Sequence, residues 1–317
     1  MILDTISNSK KILLLTHVNP DGDTLGSACA MKEYIGEKAD ILVQTKKDTG
    51  VPYNYKFLPQ LENAEFLDTV KADYDLVIAL DVASKDRIVD SAREIFDKAP
   101  VTINIDHHKT NKGYAKLNLI KGGYSSCGEV LFDFFTENNI PITKNMAEAL
   151  YVAILTDTGC FKYEATTKDT FFAVSKLTET GIDISDIARK CYDNKPKKMI
   201  TFQSDVILNA KYQMDDKVVY AIIDKEILDK YNVGNEHTEG IAEILRSISS
   251  VDVSIVLKET SNKTTKVSLR SKTIDLTPVV EKFSGGGHKF AAGCTVKKPA
   301  KEAIELILDE LYKCLKY

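Results

Sequence analysis

The chain has 317 residues, and a length above about 250–300 residues predicts more than one hydrophobic core. Its hydrophobic content of 44% is ordinary for a globular protein, and no run of residues is long and apolar enough for a membrane-spanning helix. The formal net charge of −4 argues against a protein that holds long duplex nucleic acid by its phosphates, but it leaves small anionic substrates open.

The N-terminal segment predicts a first helix and strand rather than a signal peptide. In "MILDTISNSKKILLLTHV", lysines stand just before a short apolar run, and no small-residue cleavage site follows it. Six cysteines are scattered along the chain without a CxxC pair, which is typical of reduced, packed thiols. These features predict a cytoplasmic protein without membrane association, with no transmembrane segment or sensor domain ahead of residue 17.

The first half alternates short apolar strands with helices of amphipathic spacing. Strands are predicted at "KILLLTHV", "DILVQT", "YDLVIALDV" and "VTINID", and helices at "TLGSACAMKEYIGEK", "DSAREIFDKA", "GEVLFDFFTENN", "MAEALYVAILTDTG" and "TKDTFFAVSKLTETG". Ser126 and Glu129 have the spacing of a capping box at the start of the third helix. Apolar strands separated by helices predict an α/β fold with a mostly parallel sheet covered on both faces.

A helical, lysine-rich segment over 186–211, with Pro196 inside it, is predicted to connect two domains. The first domain then covers 1–185 and the second covers 212–317. The second carries predicted strands at "KVVYAIID", "VDVSIVLKE" and "TKVSLRSK" and helices at "HTEGIAEILRSI" and "PAKEAIELILDELYK". We therefore expect a smaller α/β domain after the connector.

Acidic residues and histidines follow several apolar strands of the first half. They are His17, Asp21 and Asp23 after "KILLLT", Asp81 after "LVIAL", Asp106, His107 and His108 after "VTINI", and Asp157 after the run "LYVAILT". Ligands of open α/β sheets bind beyond the carboxyl ends of the strands, so we expect these side chains to share one crevice. Each residue alone has a structural explanation, such as a packed histidine or a turn-forming aspartate. As a set they favour a metal site.

The chemistry of this set indicates divalent cations. Carboxylates crowded in one crevice raise one another's pKa and need compensation, and the neighbouring motif segments contain no arginine, Lys109 being the nearest lysine. Oxygen and imidazole ligands without thiolate favour Mn²⁺ or Mg²⁺ over structural zinc, with iron and cobalt left open. Two ions sharing one carboxylate could acidify water and stabilise charge during phosphoryl displacement. The predicted ligands are His17, Asp21, Asp23, Asp81, His107 and Asp157.

The motifs also resemble those of a known family. "THVNPDGDTLGS", "ALDVAS", "IDHHKTN" and "AILTDTGCFKY" are similar, in this order, to the four motifs of the DHH phosphoesterases, over about 1–180. "GGGHKFAAG" at 285–293 resembles the signature of the associated DHHA1 domain. No metal-binding position of these motifs is degenerate, so the resemblance implies an active enzyme.

The resemblance implies roles for individual residues. The implied ligand sets are His17, Asp21 and Asp81 for one ion and Asp23, Asp81, His107 and Asp157 for the other. Asp81 would then bridge the two ions. His108 would face the substrate phosphate, and Asp106 would orient a ligand imidazole.

The glycine-rich motif of the second half is expected to bind substrate phosphate, although a plain loop is the ordinary alternative. Backbone N–H groups of adjacent glycines can approach an anion closely, and a neighbouring histidine can donate to it. The motif residues are Gly285, Gly286, Gly287 and His288. Arg270 in "SLRSK" is expected to hold phosphate with its planar fork, and Ser271 and Lys272 follow it as further candidates.

The resemblance implies an enzyme of the bifunctional oligoribonuclease and pAp phosphatase type, whose domains close over a small nucleotide. Such enzymes shorten single-stranded oligoribonucleotides of a few residues to mononucleotides and convert 3′-phosphoadenosine 5′-phosphate (pAp) to AMP. A stand-alone phosphodiesterase for cyclic di-AMP or pApA would use the same site residues and stays open. A nucleotide-binding regulator without turnover is the alternative from another class. A homodimer is compatible with the family.

Overall fold

The computed structural model describes residues 1–71, 73–260 and 263–315, apart from the side chains at 235, 236 and 315. The chain divides into two compact units, Met1–Asn194 and Lys195–Tyr317. Each unit has its own β-sheet with flanking helices, which confirms the predicted α/β class. No helix in the described ranges is both long and apolar enough to cross a membrane.

The first unit is built on a six-stranded sheet in which all paired neighbours are parallel. Its strands are β1 (Ile12–Leu15), β2 (Ala39–Val43), β3 (Glu65–Phe66), β4 (Leu76–Leu80), β5 (Val101–Asp106) and β6 (Leu117–Ile120). Its helices are α1 (Ile2–Asn8), α2 (Gly22–Ile35), α3 (Asp90–Lys98), α4 (Cys127–Glu137), α5 (Lys144–Asp157), α6 (Lys168–Thr178) and α7 (Ile184–Tyr192).

The strand order β3-β2-β1-β4-β5-β6 reverses direction between β1 and β4. The chain lays down β1, β2 and β3 outward and then places β4 on the other side of β1. Leu15 therefore pairs with Ala79, and Leu80 pairs with Ile105 on β5. Such a reversal is where ligands bind in doubly wound sheets. The residues that follow β1, β4 and β5 consequently meet at one edge.

Both faces of this sheet are buried, as the apolar strands predict. Leu14 of β1 belongs to a core on one face, whereas Leu13 and Leu15 belong to a core on the other, which includes Phe96 of α3. Because parallel strands with helices on both sides have no solvent face, their sequences read as nearly continuous apolar runs.

Close packing of α2 against α5 brings the start of one helix beside the end of the other. A Cβ atom on Gly26 would lie 2.4 Å from the carbonyl oxygen of Ala149, and one on Gly22 would lie 2.4 Å from Oγ1 of Thr156. Only glycine allows this approach. Asp157, the last residue of α5, is thereby placed near the first turn of α2.

The second unit has a mixed six-stranded sheet in the order β11-β12-β10-β9-β8-β7, in which only the β8–β9 pair among these is parallel. Its strands are β7 (Lys211–Gln213), β8 (Val218–Ile223), β9 (Val253–Glu259), β10 (Thr265–Ser271), β11 (Gly286–His288) and β12 (Ala291–Val296). Its helices are α8 (Lys197–Leu208), α9 (Lys225–Tyr231), α10 (Ile241–Arg246), α11 (Thr277–Glu281) and α12 (Ala300–Leu315).

The segment 186–211 contains most of α7 and all of α8. Phe202 and Val206 of α8 pack with Val219 of β8 in a core of the second unit. Burial of these apolar side chains against the sheet fixes α8 to this unit rather than leaving it as an isolated helix.

Candidate metal centre

His17 follows β1 and has a buried ring, 3% exposed. Its Nδ1 lies 2.9 Å from the carbonyl oxygen of Val18. An Nδ1–H that donates to this oxygen leaves Nε2 with its lone pair. Nε2 lies 3.4 Å from Oδ2 of Asp21 and 3.4 Å from Oδ2 of Asp81, so the ring points its ligand nitrogen at two carboxylates.

Asp21 and Asp23 are held by the N-termini of two helices. Asp21 is the N-cap of α2, and its Oδ1 accepts the backbone N–H groups of Asp23 (3.1 Å) and Thr24 (3.2 Å). Asp23 is buried, and its two oxygens accept the N–H groups of Cys127 (2.8 Å) and Gly128 (3.0 Å) at the start of α4. Helix N-termini favour negative charge, so the start of α4 offsets part of the cost of burying Asp23.

Asp81 occupies the position between the two histidines that follow β1 and β5. It is the first residue after β4, with a backbone φ of +59°, a conformation that aspartate tolerates better than most residues. Its Oδ2 faces His17, whereas Oδ1 lies 3.4 Å from Nε2 of His107 and 3.5 Å from Nδ1 of His108. Within the described part of the chain, Oδ1 is buried without a hydrogen-bond partner.

His107 points its ligand nitrogen at the opposite side of Asp81. Its Nδ1 lies 3.1 Å from the carbonyl oxygen of Tyr124, which can fix the ring as Val18 fixes His17. Nε2 then lies 3.4 Å from Oδ2 of Asp157 and 3.7 Å from Oδ2 of Asp23. The structure therefore brings together all six side chains that the sequence predicted as ligands.

Asp106 contacts the ring of His108 rather than that of His107. This buried carboxylate accepts Nδ1–H of His108 at 2.8 Å and the backbone N–H of His107 at 2.9 Å. Its other oxygen accepts a short hydrogen bond from Nδ2 of Asn111. The expectation was that Asp106 orients a ligand imidazole; in the structure it fixes the neighbouring, substrate-facing candidate.

The donor atoms fit divalent ions in number, spacing and chemistry. Among the described residues, three groups have donor atoms within 4.8 Å of one another: His17, Asp21 and Asp81; Asp23, His107 and Asp157; and Asp81, Asp106, His107 and His108. Ligands bonded at roughly 2.1 Å to an octahedral ion lie about 3.0 Å apart when adjacent and about 4.2 Å apart when opposite. The observed spacings of 3.4–3.7 Å fall in this range. The unsatisfied Oδ1 of Asp81 is the atom most in need of a cation.

The nearby thiol of Cys127 does not join the donor set. Burial, with the charges of Asp23 and Asp81, holds its pKa well above the ordinary value. Its Sγ instead donates to the carbonyl oxygen of Ile105 at 3.3 Å. The donor groups found among the described residues do not include this thiol and consist of carboxylates and imidazoles.

Without cations the carboxylates of the centre share protons with the histidines. Burial would raise the pKa of Asp81, but the rings of His107 and His17 lower it below its usual range. Burial and the charge of Asp81 raise the pKa of Asp23 well above its ordinary value. Burial, only partly opposed by His107, raises the pKa of Asp157 to about 7.

The histidines respond in the opposite sense. Burial alone would lower their pKa values, but Asp21 and Asp81 raise the pKa of His17 to about 10, and Asp81 raises that of His107 to about 11. The hydrogen bond to Asp106 likewise raises the pKa of His108 against the effect of burial. Ligand atoms that bind a metal must lose such protons, so binding at this centre releases them.

Comparison with known proteins identifies the family. A model of the DHH family N-terminal domain matches residues 11–154, and a model of the DHHA1 domain matches residues 215–317. A Streptococcus mutans protein named probable bifunctional oligoribonuclease and PAP phosphatase NrnA is 32% identical over 317 residues, covering 99% of this chain and 98% of its own. This chain belongs to the DHH phosphoesterase family.

Other relatives extend over nearly the whole DHH–DHHA1 chain. The Bacillus subtilis bifunctional oligoribonuclease and PAP phosphatase NrnA is 24% identical and covers 93% of this chain and 92% of its own. The crystal structure of an exopolyphosphatase-related protein from Bacteroides fragilis superimposes with a TM-score of 0.88 at 26% identity, covering 98% and 94% of the two chains. As a DHH protein, the chain is a hydrolytic, metal-dependent phosphoesterase.

One arginine among the described residues contacts a predicted ligand of the DHH centre, although the motif segments themselves contain no arginine. Nη2 of Arg87 is 3.3 Å from Nδ1 of His17. Arg87 stands outside the short motif around Asp81, in a turn that no local pattern connects with His17. Only the fold reveals the contact.

In the DHHA1 domain, the predicted phosphate ligand Arg270 has an acidic partner. Nε of Arg270, on β10, lies 2.7 Å from Oε1 of Glu243 on α10, and Nη1 donates to the carbonyl oxygen of Leu269 at 2.9 Å. Its side chain is 27% exposed. An anion that binds Arg270 would therefore compete with Glu243. The two further candidates differ, since Ser271 is buried and Nζ of Lys272 donates to the carbonyl oxygen of Ile248.

The glycine-rich motif of the DHHA1 domain forms an edge strand instead of a turn. Gly286 pairs with Gly293 and His288 with Ala291 in the β11–β12 hairpin. A Cβ atom at Gly285 would lie 2.4 Å from the carbonyl oxygen of Gly293, and Gly287 has a φ of +141°. Close packing thus explains why residues 285 and 287 are glycines. A Cβ atom on Gly286 would meet nothing within 4 Å, so close packing does not require glycine there.

Proposed function

We propose that this DHH phosphoesterase uses two divalent ions, bridged by Asp81, to hydrolyse short oligoribonucleotides to mononucleotides and pAp to AMP. The observation that carries the two-ion centre is the placement of Asp81, whose oxygens face His17 on one side and His107 on the other. The substrates are supported by the names of the Streptococcus mutans and Bacillus subtilis relatives.

In this proposal one ion is held by His17, Asp21 and Asp81, and the other by Asp23, Asp81, His107 and Asp157. Mn²⁺ is the favoured ion and Mg²⁺ the second choice, because the donors are oxygen and imidazole without thiolate. When bound, these ions would supply Lewis acidity and lower the pKa of water. The protein's own contribution is the geometry of the donors, since both histidine rings have Nδ1 beside a backbone carbonyl.

In the proposed reaction, His108 is the proton donor. Asp106 accepts from its Nδ1 and favours the imidazolium form, which can donate a hydrogen bond to a phosphate oxygen or to the leaving oxygen. Because Asn111 and the backbone of His107 also bind Asp106, the carboxylate itself is fixed. Removal of Asp106 would leave His108 both less basic and less well oriented.

The DHHA1 domain is proposed to bind the nucleotide through its phosphates. Arg270, Gly285, Gly286, Gly287 and His288 are the proposed contacts. Few charges are needed for a short single-stranded substrate, in agreement with the net charge of −4. We also propose a cytoplasmic location, which is supported by the six free cysteines.

A side-by-side hydrolysis assay with Mn²⁺, Mg²⁺ or chelator tests this function. The substrates are pAp, RNAs of about two to five nucleotides, pApA and cyclic di-AMP. We expect metal-dependent turnover of pAp and of several short RNAs. Turnover confined to pApA and cyclic di-AMP would replace the proposed substrates, and binding without turnover of any substrate would contradict the enzymatic proposal.

A further inference from the structure

Arg87 is fixed beside the metal centre by its own backbone. It ends the 3₁₀ turn Lys85–Arg87, which follows β4, and its N–H donates to the carbonyl oxygen of Ser84 at 3.0 Å. Its carbonyl oxygen accepts the N–H of Val18 at 2.9 Å, next to His17. The turn that carries Arg87 is thereby tied to the end of β1, where the first predicted ligand lies.

A buried glutamine holds the same turn in place. Oε1 of Gln44 accepts the N–H of Val89 at 2.7 Å, and its Nε2 donates to the carbonyl oxygen of Thr16. Gln44 is 3% exposed, so these bonds are shielded from water. The Arg87 backbone is therefore fixed by its hydrogen bond to Val18 and by the bond between Val89 and Gln44.

The guanidinium of Arg87 is not neutralised by the protein. In the described ranges no Asp or Glu carboxylate lies within 4 Å of it, although Arg93, Arg189 and Arg270 each have an acidic partner. The contact between Nη2 of Arg87 and Nδ1 of His17 is not a hydrogen bond when Nδ1 carries a proton and donates it to the carbonyl oxygen of Val18. In that state Nδ1 has no lone pair that could accept from Nη2. Arg87 is also exposed, so a ligand in solution can reach it.

We propose that Arg87 binds the phosphoryl group that occupies the metal centre, both in the substrate and as the inorganic phosphate released from pAp. This inference rests on the proposed function, because it takes the centre to receive a phosphate. An unpaired guanidinium beside a ligand of the centre presents several N–H donors in a fork that matches two phosphate oxygens. Arg87 thus adds a permanent positive charge beside a centre whose donors are carboxylates and imidazoles.

The alternative role for Arg87 is purely structural, as a residue that orients the ring of His17. The two roles make different demands on the side chain. An orienting residue should affect metal binding, since His17 is a predicted ligand. A phosphate-binding residue should affect the affinity for phosphate while the metal content stays unchanged.

The test compares Arg87→Ala and Arg87→Lys with the wild type on pAp. Loss of a hydrogen-bonded charge should lower kcat/KM by about ten- to a hundredfold in Arg87→Ala. Inhibition by inorganic phosphate should weaken by a similar factor, and millimolar guanidinium chloride should restore part of the activity. The kcat/KM of Arg87→Lys should lie between those of the wild type and Arg87→Ala, because lysine keeps the positive charge but lacks the planar guanidinium.

Lys85→Ala is the matched control, since Lys85 lies in the same turn and pairs with exposed Asp97 at 2.6 Å. It should match the wild type in kcat/KM and in phosphate inhibition. Metal content, measured by elemental analysis, should be equal in all four proteins. Unchanged phosphate inhibition in Arg87→Ala, or reduced metal content, would overturn the inference.

The binding of inorganic phosphate in the presence of Mn²⁺ separates this inference from the proposed function. Calorimetry on the wild type and Arg87→Ala needs no turnover. If the wild type hydrolyses none of the nucleotides but binds phosphate through Arg87, the proposed function fails while the phosphate site stands. If both proteins bind phosphate equally, the assignment of Arg87 is wrong whatever the substrate.

Discussion

Oδ1 of Asp106 lies 2.8 Å from Nδ1 of His108, and the carboxylate is fully buried. This pair links the strand end of β5 to the residue proposed to donate to the substrate. Because the carboxylate favours the charged imidazole, it sets the pH range over which His108 keeps its proton.

Asp106→Asn tests the pair through the pH profile of kcat. The amide keeps the shape but loses the charge, so the pKa of His108 should fall. The alkaline limb of the profile should therefore move to lower pH, and kcat at neutral pH should fall by about ten- to a hundredfold. An alkaline limb in the wild-type position would show that His108 is not the proton donor.

Asp81→Asn tests the bridge between the two proposed ions. Asparagine tolerates the positive φ of this position, so the fold should persist. Loss of the shared carboxylate should lower the content of both ions and reduce kcat on the order of a thousandfold or more, because several kcal/mol of charge stabilisation depend on them. Elemental analysis gives the metal content, with Asp86→Asn, in the exposed turn after β4, as the control. Normal metal content would disprove the bridging role.

Gly26→Ala tests the helix contact that positions Asp157. Alanine favours an isolated helix by about 1 kcal/mol over glycine, so the change would stabilise α2 if space allowed. The Cβ would instead lie 2.4 Å from the carbonyl oxygen of Ala149. We expect a net destabilisation of about 1–3 kcal/mol from overpacking, measured by denaturant unfolding. Gly286→Ala, where the added Cβ meets nothing within 4 Å, should be nearly neutral.

Arg270 and Glu243 test the phosphate site of the DHHA1 domain. Arg270→Ala should raise KM by about tenfold or more with a smaller change in kcat, if Arg270 holds phosphate equally in the ground and transition states. Glu243→Gln should lower KM, because the competing carboxylate is gone. Arg246→Ala, also on α10, serves as the control. An unchanged KM in both test variants would remove Arg270 from the substrate site.

The first-unit fold and the predicted ligands could be read from the sequence because parallel strands share an orientation. Apolar runs marked β1, β4 and β5, and the residues after them had to meet once these strands became neighbours. His17, Asp81 and His107 therefore converge without any long-range information beyond strand order.

The features that sequence patterns missed depend on tertiary contacts. Arg87 reaches the centre only because its carbonyl oxygen accepts the N–H of Val18, 69 positions earlier in the numbering. The strand β11 has two glycines, whose low strand propensity predicts a turn, yet pairing with β12 overrides it. Short strands such as β3, over Glu65–Phe66, carry too few residues for a periodic signal.

The dual attachment of Asp23 limits how this centre can be redesigned. Its oxygens cap α4 through Cys127 and Gly128, 104 and 105 positions away, while it also lies among the predicted ligands. A substitution that removes the side-chain acceptor would at the same time leave two buried N–H groups at the start of α4 without a partner. A residue chosen at position 23 to alter metal specificity must therefore also accept from α4, or it must be combined with a second substitution that caps the helix.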